Sequence, residues 1–143
     1  MESLSKALQQ IDQPRMDAFS IATGYDRNKP ANAIHIGENY DNLKHFAEQA
    51  HFKSQLRKIA RRIACQGPGE MNIVSICRRG WLRSVGEARL FAEVFRRWGG
   101  FVVNGPFHLS LKDWRVNQCH ECEKCDVKYT RKSNVFEEAA KLL

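Results

Sequence analysis

The stretch Met71-Asn72-Ile73-Val74-Ser75-Ile76-Cys77-Arg78-Arg79-Gly80-Trp81-Leu82-Arg83-Ser84-Val85 decides the fold. Its first six residues form a short β-branched run of the kind that fills a buried parallel strand. Beyond the loop, Val85, Ala88, Phe91, Ala92, Phe95 and Trp98 recur at helical spacing, with Glu87, Arg89, Glu93, Arg96 and Arg97 largely on other faces, which predicts an amphipathic helix. Gly99-Gly100 ends that helix and Phe101-Val102-Val103 supplies a further strand. Strand, loop, helix and strand over residues 71–103 imply a right-handed parallel crossover. The expected fold is therefore α/β, a three-layer arrangement around a mostly parallel sheet, with a ligand beyond the carboxyl end of the first strand.

Upstream, Asp41 is a candidate helix cap, followed by apolar Leu43, Phe46, Ala47 and Ala50 and then, in shifted phase, by Leu56, Ile59, Ala60 and Ile63. Two helices are expected, broken near residues 51–54. The second carries Lys53, Arg57, Lys58, Arg61 and Arg62 along one flank before Gly67-Pro68-Gly69 stops it. Residues 1–40, punctuated by Gly24, Asn28, Pro30, Asn32, Gly37 and Asn39, read as short strands joined by loops.

A chain of 143 residues that is 43% apolar and 27% charged fits one domain, residues 1–143, with a cysteine-rich loop at 114–132. Charges punctuate every helical stretch, so no segment reaches the roughly 18 uninterrupted apolar residues of a membrane span. The first residues lack a basic region followed by an apolar run, so a cytoplasmic or nuclear location is expected. The net charge of +7, with 13 Arg against 10 Lys, favours an anionic partner: a phosphorylated small molecule or RNA.

Cys77 to Ser84 matches the C-x5-R-[ST] pattern of cysteine-based phosphatases. A strand runs into Cys77, Gly80 lets the backbone turn its N–H groups inward, and a helix follows, so Arg78, Arg79, Gly80, Trp81 and Leu82 would wrap an anion. Arg83 would add a bidentate fork, and the field of Arg78 and Arg79 would favour a Cys77 thiolate. Ser84-Val85-Gly86-Glu87 also reads as a capping box. Two functions share the loop. One is a non-catalytic module that binds a phosphorylated ligand. The other is a phosphatase in which Cys77 attacks phosphorus, Arg83 holds the oxygens and Ser84 eases thiolate departure, the general acid being sought at Asp113 or Asp41. A small buried cysteine at a strand end is the plain structural alternative.

Cys119-x2-Cys122-x2-Cys125 places three of the five thiols in a short charged loop. A C-x2-C turn can present two thiolates to one zinc ion, and His108, His120 or Cys65 would complete four ligands. Unligated surface thiols are the alternative. A third functional class follows, a zinc-stabilised interaction domain. His45 and His51 read as structural or exposed.

The run Ile73 to Cys77, Gly80, Arg83-Ser84-Val85, the helix, Gly99-Gly100 and the strand leading to His108-Leu109 resembles the C-terminal domain family of RapZ, the RNase adapter protein, including small stand-alone eukaryotic relatives. About 40 residues carry the likeness, extended more weakly by His35-Ile36-Gly37 and by Trp114 with the three clustered cysteines. The resemblance implies a phosphate or phosphosugar site at residues 77–84 with Arg83 as chief ligand and His35 and His108 beside it, and a part in RNA binding.

Overall fold

The computed structural model describes residues 18–22 (as backbone), 35–66, 69–77, 82–99, 102–107, 119 and 121–143. In chain order the elements are β1 (Ala18–Ala22), α1 (Tyr40–Glu48), α2 (Ala50–Gln66), β2 (Asn72–Ile76), α3 (Arg83–Trp98), a 3-10 turn (Glu123–Cys125), α4 (Val127–Lys132) and α5 (Val135–Ala140). The described residues are mainly helical. None of these helices is long and apolar enough to cross a membrane.

β1 and β2 pair in parallel, from Ala18 against Asn72 to Ala22 against Ile76. Parallel neighbours need a crossover, and here α1 and α2 provide it. The crossover thus lies over residues 18–76, one unit before the 71–103 segment expected from sequence. Residues 102–107 form no strand, which corrects the expected strand at 101–103 for its two described residues. Val102 is 86% exposed and lacks the covering layer that a buried parallel strand requires. Among the described residues the sheet has two strands, and the three-layer arrangement is not seen.

Asn39, rather than Asp41, caps α1. Its side-chain oxygen accepts from the N–H groups of Asp41 at 2.8 Å and Asn42 at 3.4 Å. Asp41 falls in the first turn, where its charge complements the helix dipole. The break between α1 and α2 is the single extended residue Gln49 (φ −75°, ψ 137°), not residues 51–54, which lie within α2. That one residue shifts the helical phase so that Leu43 and Phe46 on α1 and Phe52, Leu56 and Ile59 on α2 all reach the core. The basic residues of α2 are largely exposed: Arg57, Lys58, Arg61 and Arg62 face solvent.

α3 is the central element of the helical core. Leu90, Phe91, Val94 and Phe95 meet Phe52 of α2, whose ring stacks on Phe91 at 5.0 Å, and Val135, Phe136 and Ala139 of α5. Its buried face is wider than the sequence stripe. Glu87, Leu90, Phe91 and Val94 follow i, i+3, i+4, i+7 spacing, so Glu87 lies on the inner face, while Trp98 at the end is 44% exposed. The capping box is not formed. Leu82 occupies the cap without a side-chain hydrogen bond, Ser84 is already inside the helix, and Glu87 is too deeply placed to reach back.

Candidate functional site

The β2–α3 passage brings Cys77 and Ser84 together. The Cys77 thiol donates to Ser84 Oγ at 3.2 Å, so the two ends of the loop are joined across seven residues. Leu82 is buried. Arg83 turns toward the α1–α2 break, where Nη1 donates to Gln49 Oε1 at 3.1 Å and the guanidinium lies 5.7 Å from the Phe46 ring centroid. Gln49 is itself held, its Nε2 lying 2.9 Å from His45 Nε2. Arg78, Arg79, Gly80, Trp81 and His108, all assigned to the loop or its flank, lie outside the described residues, as do Asp113 and His120.

Glu87 was not foreseen as a site residue. It is 1% exposed, and neither carboxylate oxygen has a hydrogen-bond partner among the described residues. Burial pushes its pKa from 4.5 up to about 8; the nearby Arg83 guanidinium opposes the shift and Cys77 adds to it. The carboxyl is therefore mostly neutral at pH 7, so it adds little negative charge near Cys77 and Arg83. An acidic residue on the polar face of an amphipathic pattern carries no local signal that it will be buried.

The turn before α1 packs against Leu82 and the first turn of α3. A methyl group on Gly37 would collide with the Leu82 carbonyl, and one on Gly86 would lie 2.5 Å from the Gly37 carbonyl oxygen. Two glycines thus let the turn and the first turn of α3 touch backbone to backbone. Glu38 fastens the contact through an ion pair with Arg89 Nε at 2.9 Å, both side chains being largely covered.

The same turn carries His35, which lies beside the cysteine cluster. One ring nitrogen of His35 and the sulfurs of Cys119, Cys122 and Cys125 all fall within 4.8 Å of one another. Cys125 Sγ is 3.4 Å from His35 Nδ1 and accepts from Asn39 Nδ2 at 3.2 Å. Cys119 Sγ accepts from the Cys122 N–H at 3.2 Å. Backbone donation, chiefly from Glu121, holds the Cys119 thiol below its ordinary range, whereas burial pushes that of buried Cys125 up. Such a group could hold a metal ion. Among the described residues the fourth member is His35 rather than Cys65, which is exposed on α2; His108 and His120 lie outside the described residues.

No protein-family model, curated protein or solved structure matches the chain.

Proposed function

We propose that the chain is a non-catalytic module that binds a phosphorylated ligand, a small molecule or RNA, at the loop from Cys77 to Ser84, with zinc as a structural cofactor at the His35–cysteine group. The resemblance of Ile73 to Val85 to the RapZ C-terminal domain family is part of this reading. The observation that carries it is the passage from a parallel strand through Cys77 into the first turn of a sixteen-residue helix, with Cys77 and Ser84 3.2 Å apart. At such a point peptide dipoles and helix N–H groups converge on an anion. The β1–β2 pair would be part of the larger parallel sheet of an α/β fold.

The mostly neutral Glu87 suits this role better than catalysis. It sits on the inner face of α3, 1% exposed, whereas a general acid would need solvent access to a leaving group. Arg83, which donates to Gln49 and lies beside the Phe46 ring, would supply the guanidinium fork. Replacement of Arg83 by Lys keeps the charge and loses the planar donors, and is expected to weaken inorganic phosphate binding by about 1 to 3 kcal/mol. Isothermal titration checks this; equal affinities would remove Arg83 from the site, and no phosphate binding by the wild type would overturn the reading.

Cys77→Ser is expected to leave phosphate affinity within about 1 kcal/mol, because backbone N–H groups and Arg83 carry the interaction. The wild type is expected not to hydrolyse p-nitrophenyl phosphate. Turnover above background that Cys77→Ser abolishes would establish the phosphatase instead.

A further inference from the structure

We propose that His35, Cys119, Cys122 and Cys125 form a closed four-coordinate zinc centre, whose ion clamps the C-terminal tail onto the turn beneath the first turn of α3. This extends the zinc part of the reading above and is independent of the phosphate part.

The donor set selects the ion. Three thiols and one imidazole, with no carboxylate in the group, make a soft, nitrogen-and-sulfur site suited to zinc and unsuited to calcium or magnesium. The spacing is close to what coordination needs. With bonds of about 2.3 Å to sulfur and 2.0 Å to nitrogen, a tetrahedron separates sulfurs by about 3.8 Å and sulfur from nitrogen by about 3.5 Å. Cys125 and His35 are already 3.4 Å apart, and no donor pair exceeds 4.8 Å, so shifts of about 1 Å close the site. Four protein ligands leave no position for substrate water, which makes the centre structural.

The surroundings fit thiolates. Asn39 Nδ2 and the Cys122 N–H already donate to two of the sulfurs, as the outer partners of a zinc–sulfur centre do. On binding, each thiol proton leaves to solvent, and the resulting charge is shared between the ion and these donors. Asn39 is 1% exposed and also caps α1, so one side chain links the sulfur to the start of that helix.

The clamp follows from what the ligands stand on. The tail meets α1 through Tyr40 and Tyr129, edge to face at 5.5 Å, and through an exposed Lys124–Asp41 pair at 3.2 Å. An exposed pair of that kind contributes little, because water screens it. A metal that joins His35 to Cys125, 90 positions along the chain, closes a long loop and so restrains the unfolded state strongly. The turn that carries His35 is the one that Gly37 presses against Leu82 and that Glu38 ties to Arg89. Fixing His35 therefore fixes the platform under Arg83 and Ser84.

The experiment uses the full chain. Protein purified without added metal is expected to carry about one zinc per chain, and exchange for cobalt should give the visible bands of a tetrahedral ion with thiolate charge transfer. His35→Ala should lower zinc affinity at least tenfold and alter the cobalt spectrum. His35→Cys should restore tight binding with a spectrum of four thiolates, and it keeps the test decisive if His35→Ala does not fold. Chelation should also speed amide hydrogen exchange at residues 36–39 and 82–87. A wild type that binds neither zinc nor cobalt would overturn the centre. Unchanged affinity and spectrum in His35→Ala would remove His35 while leaving a cysteine-bound zinc, and unchanged exchange after chelation would overturn the clamp. None of these results depends on phosphate.

Discussion

Gly86→Ala is expected to destabilise the protein by about 3 kcal/mol or more, at the upper end of what overpacking costs. At an ordinary helix position the same change stabilises, by roughly 1 kcal/mol, because alanine restricts the unfolded chain and favours helix. Here the sign reverses. The new methyl would lie 2.5 Å from the Gly37 carbonyl oxygen and 2.5 Å from Phe46 Cε2. Neither can yield cheaply: Phe46 is fully buried in the core, and the Gly37 backbone is held between the Asn39 cap and the Glu38–Arg89 pair. Gly37→Ala should behave alike, since its methyl would strike the Leu82 carbonyl. Urea denaturation measures both variants, and a Gly86→Ala protein as stable as the wild type would show that the turn and α3 are not in contact.

Glu87→Gln is expected to raise stability at pH 8 and to remove a pH dependence that the wild type carries. In the folded chain the Glu87 pKa is about 8, against 4.5 for the ordinary group. Between these values the folded protein keeps a proton that the unfolded chain has released, so unfolding is favoured progressively as pH rises. Its slope is about 1.4 kcal/mol per pH unit within that window, several kcal/mol from pH 5 to pH 8. Below pH 4.5 both states are protonated and the penalty vanishes. Glutamine has nearly the same shape and stays neutral. Denaturation midpoints of the two proteins should therefore converge near pH 5 and separate by pH 8; parallel curves would mean that Glu87 is hydrated or paired in solution.

What the chain could reveal locally was legible in it. The β-branched run at residues 71–76 holds the strand Asn72–Ile76, and the apolar spacing around Leu56 and Ile59 and around Phe91 and Phe95 marks helices whose faces are buried. The clustering of Cys119, Cys122 and Cys125 is a matter of spacing alone, because a turn of a few residues brings them together whatever the rest of the chain does. These features depend on periods of two or 3.6 residues and on neighbours in sequence.

Tertiary contacts decided the rest. His35 joins the cysteines only because the turn before α1 folds back over a tail some 90 positions away, and although the resemblance singles His35 out, nothing in its local sequence ties it to the cysteines. The crossover lies before β2 because β1, in the least periodic part of the chain, pairs there. Glu87 is buried, and the Ser84–Glu87 capping box does not form, because core packing against α1, α2 and α5 sets the rotation of α3 about its axis. That rotation is fixed by the summed burial of Leu90, Phe91, Val94 and Phe95, which outweighs the cost of burying one carboxyl that can take up a proton.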